Sequence, residues 1–143
     1  MAKLSPALAA ELVARARAVR ANAYVAASGF RVGAAVLGGS GAVYVGCNVE
    51  NASYGLTICA ERAAVFAAIA AGEREVHAVA VATGLPQPAR PCGACRQVLA
   101  EFAPRRGDLA VLLAGKRPAV ARTTLARLLP QRFTFADVHK GRG

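Results

Sequence analysis

The sequence predicts one α/β domain built as a three-layer α/β/α sandwich, with helices on both faces of a mixed sheet. Three observations carry that expectation. Apolar runs of strand length alternate with stretches of helical periodicity, in the order helix, two strands, helix, strand, helix, strand, helix. A glycine-rich break, Gly38-Gly39-Ser40-Gly41, separates the first two strands by a hairpin's distance. The chain has 143 residues, 55% hydrophobic and 18% charged, which suits a single domain over residues 1–143 with a real core and argues against disorder.

Each element has a local reason. Ser5-Pro6 reads as a helix start, with serine at the N-cap and proline in the first turn. Leu8, Leu12 and Val19 supply an apolar stripe, Arg15, Arg17 and Arg20 read as solvated, and the helix fades near Ala21-Asn22. Phe30–Leu37 and Ala42–Cys47 form the hairpin, and Asn48–Tyr54 is polar and turn-like. Apolar residues recur at helical spacing from Thr57 to Ala71, and Gly72 ends the run. Val76–Ala82 is a buried strand, Thr83–Pro91 a proline-rich loop, Cys92–Phe102 a helix and Leu109–Ala114 a second buried strand. Thr123–Leu129 reads as a short helix capped by Thr123 or Thr124 and stopped by Pro130.

No stretch approaches the roughly 18 uninterrupted apolar residues of a membrane span. Glu11 and three arginines interrupt the first twenty residues, a poor secretory signal, so a cytoplasmic location is expected with no membrane partner. The net charge of +10 raises the question of nucleic acid. The basic residues are dispersed, clustering only at Arg15/Arg17/Arg20, Arg105/Arg106 and Lys116/Arg117, and nucleic acid is not the expected partner.

The chemistry lies in the cysteines. Cys92 and Cys95 are three apart on the first turn of one predicted helix, and Cys59 lies near the start of another. Amide N–H groups and the positive end of a helix stabilise thiolates there. Three thiolates leave one tetrahedral position of a Zn²⁺ open for water. Glu61 follows Cys59 by two residues, and a carboxylate beside an open zinc position can move protons to and from that water. Alternatives remain at this point. Cys92-x-x-Cys95 also fits a redox pair, and Cys47 could complete a structural zinc site. His77 and His139 are weaker ligand candidates. Zinc with three thiolates carries a formal charge of −1, which raises the pKa of bound water. Arg62 and Arg96 each follow a motif residue directly, and Arg62 is expected to donate to a ligand thiolate and offset that charge.

Cys59-x-Glu61 with Pro91-Cys92-Gly93-Ala94-Cys95 is nearly the general zinc-deaminase signature, with cysteine as first ligand. Beyond it, Phe30-Arg-Val-Gly-Ala-Ala, Gly46-Cys-Asn-Val-Glu-Asn-Ala-Ser-Tyr-Gly-Leu-Thr-Ile-Cys-Ala-Glu-Arg62, Pro91-Cys-Gly-Ala-Cys-Arg-Gln-Val-Leu and Leu128-Leu-Pro-Gln-Arg-Phe133 occur in family order. By these stretches the chain resembles the small, homotetrameric, zinc-dependent cytidine deaminases of pyrimidine salvage. The resemblance implies a five-stranded sheet, so a fifth strand is sought near Lys116–Val120 or Thr134–Val138. It implies one Zn²⁺ per subunit on Cys59, Cys92 and Cys95, with Glu61 as proton shuttle. It places Asn48 and Glu50 on the ribose hydroxyls, Phe30 against the pyrimidine, and the Ala60 N–H on the 2-oxo group. Ala52, Tyr54 and Phe133 match positions that complete a neighbouring subunit's site. The implied substrates are cytidine and 2′-deoxycytidine; a modified aminopyrimidine nucleoside such as blasticidin S, a polynucleotide, and a non-catalytic zinc or redox protein are the rivals. One departure stands out. Many members carry Pro-Tyr-Ser before the matching phenylalanine, where this chain has Ala26-Ala27-Ser28-Gly29-Phe30 and so lacks a ring near the subunit contacts.

Overall fold

The computed structural model describes residues 4–141. Helix α1 (Pro6–Val19) begins as expected, the Ser5 hydroxyl accepting the Leu8 N–H at 3.2 Å, and it tightens into a 3-10 turn at Arg20–Asn22. Strands β1 (Val32–Gly38) and β2 (Val43–Cys47) form the hairpin. Helix α2 (Ala60–Ala70), β3 (Val76–Thr83), α3 (Gly93–Glu101), β4 (Ala110–Ala114), β5 (Val120–Thr124), α4 (Leu125–Leu128) and α5 (Phe135–Lys140) follow.

The sheet runs β2-β1-β3-β4-β5, with β3 and β4 parallel and the other neighbours antiparallel. Strand periodicity divides the core in two. Val36, Val79, Val81, Val111 and Leu113 face one cluster with Val65 of α2 and Leu99 of α3. Leu37, Ala78, Ala80 and Leu112 face the other, with Leu12, Val13 and Ala16 of α1. A side chain such as Leu12 or Leu99, fully buried, contributes about 1.5–3 kcal/mol by its removal from water. Helix α2 lies so close on β2 that a Cβ at Gly46 would meet the Ala64 nitrogen at 2.4 Å. Glycine there lets the start of α2 press onto the hairpin, which fixes the ligand-bearing helix.

Three expectations need correction. The helix expected from Thr57 starts at Ala60, because Ile58 and Val49 exchange backbone hydrogen bonds of 3.0 Å and hold that segment extended. The fifth strand is Val120–Thr124, at the end of one searched interval and beyond it, and it takes Thr123 and Thr124 from the expected helix by pairing them with Val111 and Ala110. The other interval is no strand: Thr134 and Asp137 form a capping box that starts α5.

Candidate metal centre and catalytic cavity

The two functional helices start on cysteine. Cys59 is the N-cap of α2 (φ −71°, ψ 154°) and Cys92 the N-cap of α3 (φ −67°, ψ 169°), and neither side chain accepts a capping backbone N–H from its helix. Cys95, one turn on, is fully buried. The three sulfurs lie within 4.8 Å of one another. Ligands about 2.3 Å from a tetrahedral zinc stand about 3.8 Å apart, and the Cys59 and Cys92 Sγ atoms are 3.8 Å apart. The donor set therefore fits zinc in both chemistry and spacing. Among the described residues, no fourth Cys, His, Asp or Glu joins the cluster, which speaks against the structural-zinc rival. Cys47 ends β2, His77 bonds Glu75 at 3.1 Å, and His139 stacks on Phe135.

The electrostatics favour the thiolate at Cys59 over that at Cys95. Hydrogen bonding from Cys95, with Arg62 and Cys92 adding to it, pulls the Cys59 thiol below the usual range. Cys95 is pushed up by the same hydrogen bond to Cys59 and by burial. Arg62 Nη2 donates to Cys59 Sγ at 3.4 Å. Arg96 makes no such contact; its Nε donates to the Pro91 carbonyl at 2.7 Å and its Nη1 to the Leu128 carbonyl at 2.9 Å, bracing the ligand loop instead. Glu61 is 5% exposed, and burial pushes its carboxyl up, with the Cys59 charge adding to the rise.

A cavity of about 250 Å³ joins these groups to residues far apart in sequence. Its wall includes Phe30, Asn48, Glu50, Tyr54, Cys59, Glu61 and Cys92. Asn48 donates to the Phe30 carbonyl (2.8 Å) and accepts the Val32 N–H (2.9 Å). Glu50 is buried, not solvated: its carboxylate accepts the N–H groups of Ala27 (2.7 Å) and Ser28 (3.0 Å) and the Ser28 hydroxyl. The Ser28 hydroxyl bond holds the Glu50 carboxyl below the usual range. Together the two side chains clamp the loop that carries Phe30. Ala60 is buried as the first residue of α2. Ala52 and Phe133 do not line the cavity; both are exposed, Phe133 at 64%, with its carbonyl held by Gln97 Nε2 at 2.8 Å. Sequence reasoning missed Ser28, Thr57, Thr83 and Arg90 on the cavity wall. Ser28 had a signal, a hydroxyl beside the glycine before Phe30, but its bond to Glu50 spans 22 positions.

The model of the cytidine and deoxycytidylate deaminase zinc-binding region matches residues 7–109. The cytidine deaminase of Halalkalibacterium halodurans is 47% identical over 128 residues, covering 90% of this chain and 96% of that protein. The cytidine deaminase of Sporosarcina psychrophila is 44% identical over 128 residues, covering 90% of this chain and 93% of its own length. The crystal structure of cytidine deaminase from Burkholderia pseudomallei superposes with a TM-score of 0.81 at 46% identity, covering 87% of this chain and 98% of that one.

Proposed function

This chain belongs to the cytidine and deoxycytidylate deaminase family, and we propose that it removes the 4-amino group of free cytidine and 2′-deoxycytidine, yielding ammonia and uridine or 2′-deoxyuridine. One observation carries the reading: a buried glutamate with a raised pKa shares a cavity with a three-sulfur cluster built on two helix starts.

Zinc held by Cys59, Cys92 and Cys95 supplies the Lewis acidity that makes a water nucleophilic near neutral pH. Glu61 takes a proton from the attacking water, places it on N3 of the pyrimidine, and later delivers the second proton to the departing amine. Its raised pKa matches a group that must both accept and release protons. Arg62 offsets the charge of the thiolates through its bond to Cys59.

Binding uses the clamped loop. An Asn amide offers two donor hydrogens and two lone pairs, and Asn48 has spent one of each on the backbone. A carboxylate has about four acceptor sites, and Glu50 has filled three. Each therefore keeps capacity for a ribose hydroxyl while its backbone bonds hold it in position. Phe30, 39% exposed, presents a ring to the pyrimidine, and the Ala60 N–H at the helix start donates to the 2-oxo group. Tyr54 and Phe133, 60% and 64% exposed, with Ala52, complete the site of a neighbouring copy in a homotetramer. Exposed Tyr24, Leu56 and Phe66 support burial between subunits. No helix among the described residues is long and apolar enough to cross a membrane. The proposed setting is cytoplasmic pyrimidine salvage.

The test is the ultraviolet absorbance of cytidine incubated with zinc-loaded protein. Loss of the cytidine band with release of ammonia is the expected result. No change, with protein shown to be folded and to hold zinc, rejects the reading.

A further inference from the structure

A second cavity opens beside the catalytic one. It measures about 520 Å³ and is lined by Arg17, Arg20, Thr83, Gly84, Gly115 and Lys116. Thr83 lines the catalytic cavity as well. Arg17 comes from α1 and Arg20 from the turn after it; Gly84 and Gly115 directly follow β3 and β4, and Lys116 opens the β4–β5 turn. Carboxyl ends of parallel strands are where sheets of this kind hold ligands.

The lining holds three cations and no carboxylate. Among the described residues the ion pairs are Arg15–Glu11, His77–Glu75 and Arg105–Glu75, so none neutralises Arg17, Arg20 or Lys116. The two guanidinium groups are nevertheless positioned. Arg17 Nη2 donates to the Arg117 carbonyl at 3.0 Å, and Arg20 Nε donates to the Arg31 carbonyl at 3.0 Å. Carbonyl acceptors fix an arginine without cancelling its charge, and each keeps further N–H donors. Lys116 is held in its turn by its own N–H on the Leu85 carbonyl at 2.7 Å. Residue 84 has to be small for this arrangement: a Cβ at Gly84 would stand 2.3 Å from Arg20 Nη2 and displace the guanidinium. Arg17 is exposed, as expected, and Arg20 is half-buried, but both guanidiniums are also tied to backbone carbonyls around one cavity.

We propose that this cavity binds a phosphate-bearing anion. Two oriented guanidiniums and the Lys116 ammonium match the charge and the fork geometry of phosphate oxygens. The volume lies in the range of small-molecule sites and leaves room for more than the phosphate itself. Gathering three like charges with no counter-charge is unfavourable in the free protein, and a bound anion relieves it. The ligand is either free inorganic phosphate or the phosphate of a nucleotide.

The test is calorimetric binding and thermal unfolding with inorganic phosphate, and separately with adenosine 5′-monophosphate, against chloride at matched ionic strength. At phosphate about a hundredfold above its Kd, the wild-type Tm rises by roughly 5–10 °C. Lys116→Gln, at an exposed position, weakens binding about tenfold or more, and Gly84→Asp abolishes it by placing a carboxylate against Arg20. Arg106→Gln removes the same charge from a loop outside the cavity and leaves binding intact. Tighter binding of the nucleotide than of phosphate identifies a nucleotide site; equal binding identifies free phosphate. Absence of phosphate-specific binding in the wild type overturns the proposal, as does an equal loss in Lys116→Gln and Arg106→Gln, which would reflect only the overall charge of +10. Circular dichroism of each variant confirms its fold.

Discussion

Two buried carboxylates bracket α2, and their surroundings differ. Glu61, in its first turn, and Glu73, just past its end, are 5% and 8% exposed. Glu73 accepts the Ser40 N–H (3.2 Å), the Ser40 hydroxyl and the Tyr44 hydroxyl (3.2 Å), and the Ser40 hydroxyl above all holds its carboxyl below the usual range. At Glu61 burial outweighs the bonds from its own N–H and from Cys95, and the Cys59 charge pushes the same way. A carboxylate surrounded by donors holds structure, here the β1–β2 hairpin against the α2–β3 turn. One that is short of donors and beside a metal-binding cluster is poised to carry a proton.

The largest effect on this contrast comes from removing the cluster. Cys95→Ala deletes a fully buried ligand, and metal analysis should find zinc near zero with turnover lost. Full zinc occupancy in that variant would mean the ligand set is wrong. Next in size is Glu73→Gln, expected to destabilise the fold by about 1.5–3 kcal/mol through its charged hydrogen bonds while leaving turnover per folded molecule unchanged. The folded pKa of Glu73 is lowered, so its contribution is full above the unfolded value of about 4.3 and is lost as pH falls through the folded value. The stability gap between wild type and Glu73→Gln should be constant from about pH 6 to 8 and close under strongly acidic conditions. A gap that persists with the carboxyl protonated would show the loss to be steric. Smaller again is Arg62→Ala, which should weaken zinc binding about tenfold and shift the pH–rate profile; an unchanged profile and affinity would remove Arg62 from the charge balance. The smallest is Ser5→Ala, away from both carboxylates, at about 1 kcal/mol of stability by denaturant titration.

How much of this was legible in the sequence depends on the range over which each feature is encoded. The cluster was legible because Cys59-x-Glu61 and Cys92-x-x-Cys95 are local patterns on helix starts. The buried strands were legible as apolar runs. Strand β5 was not, because Val-Ala-Arg-Thr-Thr is an edge strand with its first three residues exposed and no apolar run to announce it. Helix α5 is six residues long with no buried face, too short for periodicity to show. The Glu50–Ser28 and Glu73–Ser40 clasps join positions 22 and 33 apart, and only the folded chain brings them together. Arg96 shows the same limit, since its partner Leu128 lies 32 residues away.

The central claim is that Glu61 moves the protons of the reaction. Its most direct test is the turnover of cytidine by zinc-loaded Glu61→Gln, with zinc content and thermal stability measured on the same preparation. The account predicts about one zinc per chain, an intact fold and a rate reduced by roughly 10²–10⁴. Wild-type turnover by a fully loaded Glu61→Gln protein would contradict it.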